Sequence, residues 1–122
     1  MIFSKLTKRE NEIMEILWNN DKEMSATDIM NASNGISLNT IQQTLQKLLK
    51  MNYIYVSSVG MNKKALTRLY RPSIEEVDYI SAFINESTYA KLASSFITQT
   101  KDDKILEELS QLIEEKRKSL KG

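Results

Sequence analysis

The chain has 122 residues, of which 41% are hydrophobic, and a net charge of +1 at neutral pH. This length fits one modest hydrophobic core with an appendage and leaves no room for a second catalytic domain. Because the sequence contains neither cysteine nor histidine, it excludes disulfides, thiolate nucleophiles, imidazole bases and metal sites built on either ligand. We therefore expect no metal, no cofactor and no enzymatic activity.

The sequence carries no recognisable signal for export or membrane insertion. The opening MIFSKLTKRE lacks the apolar core of a signal peptide, and no segment approaches the roughly 20 apolar residues of a membrane span. We expect a cytoplasmic protein that is not inserted in a membrane.

Charge is distributed unevenly along the chain. Residues 1–72 carry ten basic and six acidic side chains, whereas residues 73–122 carry seven basic and ten acidic ones. No acid occurs between Asp28 and Glu75, an interval that holds six of those ten basic residues. Such a segment suits a polyanion-binding surface, because each carboxylate near a phosphate costs Coulomb energy. The alternative is chance, since modest basic patches are common on proteins that bind no nucleic acid.

The first predicted helix begins after Thr7. Thr7 is a candidate N-cap and Glu10 follows three residues later, which is the spacing of a capping box. Trp18 shares the apolar stripe of this helix, which favours a core anchor over a base-stacking platform. The stripe consists of Ile13, Met14, Leu17 and Trp18.

Two further helices follow. Ser25 can cap a short second helix that carries Asp28 near its positive end. Ser37 caps a third helix, which runs to about Met51 and ends at Asn52 in a left-handed conformation. One face of this helix is apolar and the other carries amides, hydroxyls and lysines. Its apolar stripe comprises Leu38, Ile41, Leu45, Leu48 and Leu49.

From Tyr53 the hydrophobic period changes to that of β-strands. Residues 53–59 alternate, and residues 65–71 form a second strand that ends at Pro72. The predicted hairpin tip consists of Gly60, Met61, Asn62, Lys63 and Lys64. Three helices followed by a two-stranded ribbon predict a mainly α fold of the α+β winged-helix type, with a three-helix helix-turn-helix core and a β wing. We assign residues 1–72 to this DNA-binding domain.

The segment 73–122 is predicted to form two helices with apolar stripes. Ser73 and Glu76 have the spacing of a second capping box, and a final helix starts after Asp103. In a monomer, each solvent-exposed Leu, Ile or Phe side chain would lose about 1.5–3 kcal/mol of burial free energy. We therefore expect a second copy of the chain to cover these stripes. The alternative is a helical hairpin that folds back on the N-terminal domain. The predicted dimerisation residues are Ile80, Phe83, Ile84, Leu92, Phe96, Leu106, Leu109, Leu112 and Ile113.

The polar face of the third helix is the candidate functional surface. Amides can contact adenine edges bidentately, threonine can contact bases through its hydroxyl or methyl group, and a helix N-terminus favours phosphate. Glutamine is also a good helix former, so a neutral surface is the alternative. We predict that Thr40, Gln42 and Gln43 contact bases. The predicted phosphate contacts are Ser37, Asn39, Lys47, Lys63, Lys64 and Arg68.

Together these motifs resemble the penicillinase repressor (BlaI/MecI-type) family of winged-helix regulators. The resemblance covers nearly the whole chain and is carried by L-T-x-x-E-x-x-I-M-x-x-L-W at Leu6–Trp18, S-x-x-T-I-Q-x-T-L at Ser37–Leu45 and the Tyr70-x-Pro72 ending. It implies a homodimer whose wing domains bind a pseudo-palindromic operator while the C-terminal helices interlock. Genes for β-lactam resistance are among the targets that the resemblance implies.

The resemblance also places individual functions on this sequence. Its recognition-helix contacts fall on Ser37, Asn39, Thr40, Gln42 and Gln43. It further implies a membrane metalloprotease sensor as a partner, with a regulatory cleavage site at Ser95-Phe96. Many members have arginine where this chain has Lys47, and a lysine lacks the planar fork of that contact. The copper-responsive branch uses cysteines, which are absent here.

The leading functional prediction is therefore a homodimeric transcriptional repressor that binds a specific DNA operator and has no catalytic activity. The alternative is a winged-helix module that uses the same face to bind an acidic protein and reads no DNA. A hydrolase or transferase is disfavoured because Gly35, Gly60 and Gly122 are isolated and form no phosphate-binding loop.

Overall fold

The computed structural model describes residues 3–62 and 65–122, so the predicted phosphate contacts Lys63 and Lys64 lie outside the described residues. Within these ranges, no helix combines the length and apolar character that a membrane span requires. The chain divides into two compact units: unit 1 ends at Phe83 and unit 2 begins at Ile84. The elements are α1 (Lys8–Trp18), α2 (Ala26–Ala32), α3 (Leu38–Lys50), β1 (Ile54–Asn62), β2 (Ala65–Pro72), α4 (Glu76–Ser81), α5 (Glu86–Gln99) and α6 (Asp103–Lys121).

Side-chain caps define the first three helices, as predicted. Thr7 Oγ1 accepts from the Glu10 backbone N–H, and the Glu10 carboxylate accepts from the Thr7 N–H. Ser25 and Asp28 form the same reciprocal box on α2. Each box satisfies two backbone donors that a helix start would leave unpaired. The predicted left-handed residue after α3 is also confirmed, because Asn52 has φ 61°.

The hydrophobic core of unit 1 lies between the three helices and the base of the hairpin. The predicted stripe of α3 points into this core, with Ile41, Leu45 and Leu48 buried. Trp18 packs at the edge of the core, and its indole N–H donates to the Ile74 carbonyl oxygen at 2.9 Å. The predicted role of Trp18 as a core anchor is therefore confirmed. The buried apolar side chains are Ile13, Met14, Leu17, Met24, Ile29, Ile36, Ile41, Leu45, Leu48, Tyr53, Ile54, Tyr70 and Ile74.

Strands β1 and β2 pair antiparallel and form the wing. The strands are longer than predicted, because the ladder continues to an Asn62–Ala65 pair. Gly60, Met61 and Asn62 therefore lie in β1, and their assignment to the hairpin tip is wrong. The glycine suggested that the strand ends in a turn, but Gly60 pairs with Thr67 within the ladder.

A β-bulge and a carboxylate fix the base of the wing. The register shifts between Val56 and Ser58, which leaves Ser57 as the extra residue. The hydroxyls of Ser57 and Ser58 both donate to the Glu23 carboxylate, which lies in the loop before α2. These two hydrogen bonds, helped by the positive charge of Arg71, hold the pKa of Glu23 below its ordinary value although burial opposes them. The bulge is thereby tied to the helical part of unit 1.

Helix α4 begins later than the sequence predicted. The Ser73 backbone N–H donates to the Tyr53 carbonyl oxygen at 2.8 Å, and the following residue, Ile74, is buried. These contacts keep the chain extended, so the N-cap of α4 is Glu75 and no side chain caps it. The predicted capping box of Ser73 and Glu76 is therefore wrong.

An aromatic cluster attaches α4 to unit 1. The Tyr79 ring lies 5.8 Å from that of Trp18 and 5.1 Å from that of Phe83, centroid to centroid. The Tyr79 hydroxyl accepts from the Leu6 backbone N–H at 2.7 Å. Because of these contacts, unit 1 extends to Phe83, whereas the predicted domain boundary follows Pro72. The assignment of residues 1–72 to DNA binding and of 73–122 to dimerisation stays a prediction.

Unit 2 consists of α5 and α6. The sequence predicted one helix from Ser73 to the end of α5. In the structure the helix is interrupted after α4, and a new helix, α5, follows. The Asn85 side chain caps α5 by accepting from the Thr88 N–H. Asp102 caps α6 by accepting from the Ile105 N–H. No residue from 84 to 122 is buried in the single chain. The apolar stripes of both helices are largely accessible to solvent.

Candidate nucleic-acid interface

The polar face of α3 is exposed along its whole length. The side chains of Ser37, Asn39, Gln42, Gln43 and Lys47 are exposed, and that of Thr40 is half-buried. Six of the predicted contact residues therefore share one accessible surface, which we call the α3 face. Gln42, which lies near the apolar stripe in the sequence pattern, also points to solvent.

Two hydroxyl groups at the start of α3 hold each other in place. The Ser37 hydroxyl accepts from the Thr40 backbone N–H at 3.2 Å and donates to the Thr40 hydroxyl at 2.9 Å. Since Thr40 Oγ1 accepts this hydrogen bond, its own proton can be donated outward. The Thr40 side chain is thus oriented as a donor at the exposed N-terminal turn of α3.

The N-terminus of α3 differs from those of the other helices in the described parts of the chain. Helices α1, α2, α4, α5 and α6 each carry an acid in their first turn, and α3 carries none. The acid partly neutralises the positive end of the helix dipole in those five cases. At α3 the partial positive charge remains available, and it lies on the same surface as the amides. Such a helix start favours an anionic group such as phosphate.

An open groove separates α3 from strand β2. Gln42 and Gln43 line one side and Arg68 lines the other, so the structure brings two predicted base contacts together with a predicted phosphate contact. No lining residue is acidic. The groove is lined by Ala26, Gln42, Gln43, Gln46, Leu66, Thr67, Arg68 and Tyr70.

Sequence reasoning omitted Gln46 from the candidate site. Gln46 is exposed and lines the groove beside Gln42 and Gln43. The signal was present, because residue 46 follows residues 42 and 43 at the helical spacings of four and three. Lys47 and Lys50 occupy the last turn of α3, where their charges also stabilise the negative end of the helix dipole.

The predicted dimerisation residues lie in both units. Ile80 and Phe83 belong to unit 1, and the others belong to unit 2. Phe83 also has an intrachain role, because its ring contacts Tyr79 and lies 5.7 Å from the Lys5 ammonium nitrogen. In unit 2, Leu92, Leu112 and Ile113 are each more than half exposed.

The predicted cleavage site lies within a regular helix. Ser95 and Phe96 are both in α5, and 46% of the Phe96 surface is exposed. A peptide bond in this position is accessible only as part of a hydrogen-bonded helix. Cleavage at this bond stays a prediction.

Within unit 1, helices α1–α3 and the two-stranded wing form a winged helix. The fold is similar to that of a MepR mutant from a multidrug-resistant S. aureus clinical isolate, with 16% identity, a TM-score of 0.57 and coverage of 94% of this chain and 79% of that one. It is also similar to an S. aureus MepR mutant bound to an oligodeoxyribonucleotide, with 16% identity, a TM-score of 0.54 and coverage of 94% and 80%. No curated protein matches the chain.

The sequence profile of the penicillinase repressor family matches residues 6–115. The chain therefore belongs to the penicillinase repressor family. This match confirms the resemblance drawn from the sequence motifs. Members of the family are transcriptional regulators and not enzymes. The matched range includes the α3 face, the wing and most of unit 2.

Proposed function

We propose that the protein is a homodimeric repressor that binds a pseudo-palindromic DNA operator with one α3 helix of each copy in the major groove. The observation that carries this proposal is the α3 face. This surface combines exposed amide side chains with a helix N-terminus whose first turn carries no acid. It lies beside a groove whose lining contains an arginine and no carboxylate. An operator offers both the phosphates and the patterned base edges that such a surface can bind.

Within this surface the residues have different roles. Thr40, Gln42 and Gln43 contact base edges, because they carry solvent-accessible donors and acceptors near the start of α3. Ser37, Asn39, Lys47 and Arg68 contact phosphates and set the position of the helix. Lys63 and Lys64 join this second group on the basis of the sequence alone. Gln46, which lines the same groove, extends the base-contacting set.

Two copies associate through the apolar stripes of unit 2. A single chain leaves these stripes exposed, and a second copy would bury them at about 25 cal/mol per Å². A two-fold dimer then presents two α3 faces to two half-sites about one helical turn apart. The DNA-bound MepR neighbour supports the proposal through its similar fold.

Binding to DNA can be tested before the operator sequence is identified. Selection from a random duplex library yields a preferred site, and titration at several salt concentrations gives the salt slope. Contacts with about six phosphates predict a log–log slope near −5. A module that binds only proteins would retard no duplex, even at low salt.

The division of roles has its own test. Gln43→Ala should weaken binding to the selected site by about 1–3 kcal/mol and barely change binding to random DNA. Lys47→Ala is the matched control, since it should weaken binding to both duplexes similarly. Equal losses on both duplexes for both variants would refute base readout by Gln43.

The targets and the release mechanism rest on family resemblance. We propose that the operator controls antibiotic resistance genes, such as those for β-lactam resistance, and that a membrane metalloprotease sensor cleaves Ser95-Phe96. The selected site should then occur upstream of such genes. Cells exposed to the inducing antibiotic should accumulate a fragment that ends at Ser95. An intact chain in induced cells would refute the cleavage mechanism.

A further inference from the structure

We propose that Glu23 is a positioning residue for DNA binding, whose carboxylate ties the wing to the loop before α2 and so fixes the separation between β2 and α3. In this role the carboxylate itself contacts no DNA. The inference rests on the proposed function, in which α3 and the wing bind one duplex, and it names the group that holds these two elements at the separation that the duplex requires.

A carboxylate at the base of the wing is unexpected on electrostatic grounds. No acid occurs from residue 29 to residue 74, yet the fold brings Glu23 onto this interval. The Ser58 hydroxyl donates to Glu23 Oε2 at 2.9 Å, and the Ser57 hydroxyl donates to the same oxygen. In residues 3–62 and 65–122, this is the only carboxylate that hydrogen-bonds to the wing. Its charge repels nearby phosphates, and its hydrogen bonds indicate a compensating role in positioning.

The loop that carries Glu23 contacts both strands of the wing. The Met24 backbone N–H donates to the Tyr70 carbonyl oxygen at 3.1 Å, and the Tyr70 N–H donates to the Met24 carbonyl oxygen at 2.8 Å. The loop backbone therefore pairs with β2, while the adjacent Glu23 side chain bonds β1. Because a bulge bends its strand and leaves a residue unpaired, the bond to Ser57 fixes the wing where its ladder is interrupted.

The same contacts determine the width of the groove beside α3. Tyr70, which pairs with Met24, lines this groove together with Ala26, the first residue of α2. Gln43 lies on the α3 side of the groove and Arg68 on the β2 side. The proposed base and phosphate contacts can form together only if these two sides keep a precise separation. A wing released from Glu23 would lose that separation.

The first test compares Glu23→Ala with Glu23→Gln on the duplex selected from random DNA. Both substitutions remove the charge, but glutamine keeps an oxygen that can accept from both hydroxyls. We expect Glu23→Ala to bind about tenfold more weakly, the scale of one lost polar contact. Its salt slope should fall by about one, because a wing cation loses its phosphate. Glu23→Gln should stay within about twofold of wild type. Electrostatic repulsion alone would make both variants bind more tightly.

Asp21→Ala is the matched control for charge. It removes the same charge from the same loop, and Asp21 contacts the wing through its backbone carbonyl oxygen, which accepts from Arg71 at 3.2 Å and which the substitution retains. This variant should bind no more weakly than wild type. Thermal unfolding of each variant identifies the temperatures at which it is folded, and binding is compared there.

Two further variants separate positioning from a general loss of stability. Ser57→Ala/Ser58→Ala keeps the carboxylate but removes both donors, and it should reproduce the loss seen with Glu23→Ala. In an Arg68→Ala background, Glu23→Ala should cost less than in wild type, because the phosphate contact that depends on the wing position is already absent. A general loss of stability would act equally in both backgrounds.

Three outcomes would overturn the inference: a Glu23→Ala protein that binds as tightly as wild type, equal losses for Glu23→Ala and Glu23→Gln, or full additivity with Arg68→Ala. If Gln43→Ala still weakens binding in those cases, the proposed function stands without a role for Glu23. If wild type binds no duplex, both proposals fail.

Discussion

Units 1 and 2 obtain their stability in different ways. In residues 3–62 and 65–122, every buried apolar side chain belongs to unit 1, and unit 2 has none. Unit 1 also fixes its helix starts with capping boxes and closes its edge with an aromatic cluster. Unit 1 can therefore fold around its own core, whereas unit 2 leaves its apolar stripes exposed in the single chain, where the proposed second copy would cover them.

The largest expected effect is the loss of dimerisation caused by a substitution in unit 2. Leu112 is 59% exposed in the single chain, so Leu112→Glu costs a monomer little. In a two-fold dimer it would bury two like charges, each at a cost of about 3–5 kcal/mol. We expect sedimentation to show monomers and operator affinity to fall at least 100-fold.

Ser110→Glu is the matched control, since Ser110 is exposed on α6 outside the predicted dimerisation set. It should leave the dimer intact. A Leu112→Glu protein that still sediments as a dimer would show that unit 2 associates through another surface or not at all.

The second largest expected effect is a loss of stability caused by a substitution in the core of unit 1. Leu45→Ala removes a side chain that is 1% exposed, and it should lower the free energy of unfolding by about 2–5 kcal/mol. Leu66→Ala, at a residue that is 77% exposed, should change that free energy little. Urea denaturation measures both. Similar losses for the two variants would contradict the assignment of the core.

A smaller effect is expected at the aromatic cluster. Tyr79→Phe keeps the ring but leaves the Leu6 backbone N–H without its acceptor, which should cost about 1–3 kcal/mol. Tyr89→Phe on the exposed face of α5 provides the comparison and should be neutral. If thermal unfolding gives the same midpoint for both variants, α4 does not stabilise unit 1 through this hydrogen bond.

The smallest effect concerns the wing base and depends on pH. Because the pKa of Glu23 is lowered on folding, its hydrogen bonds contribute stability above its ordinary pKa of 4.5 and lose it as pH falls through the lower folded value. The stability difference between wild type and Glu23→Gln should be largest near neutral pH and shrink in acid. Ser57→Ala should act on the same bonds, so the double variant should be less destabilised than the sum of the single variants. Additive losses or a difference independent of pH would argue against this contact.

Most of unit 1 could be predicted from the sequence because its signals are local. Capping residues lie within four residues of the groups that they bind, and the α3 stripe repeats at the helical period. The same locality predicted the left-handed Asn52 and the exposed amides of the α3 face.

Distant contacts account for what the sequence did not predict. Ser73 fails to cap α4 because Tyr53, twenty residues earlier, accepts its N–H, and Tyr79 joins unit 1 through rings far away in sequence. Such pairings depend on how the elements pack, which no local pattern contains.

The aromatic cluster has a consequence for how the repressor can be switched off. The cluster ends at Phe83, so cleavage of the chain anywhere along α5 would leave unit 1, with its α3 face, folded and chemically unaltered. In the proposed dimer, the two copies of unit 1 would then no longer be tethered. Each would bind its half-site at its own low concentration in the cell instead of the millimolar effective concentration typical of a short link. Control would then act on avidity, and the separated copies of unit 1 would remain competent but too weakly held to block a promoter.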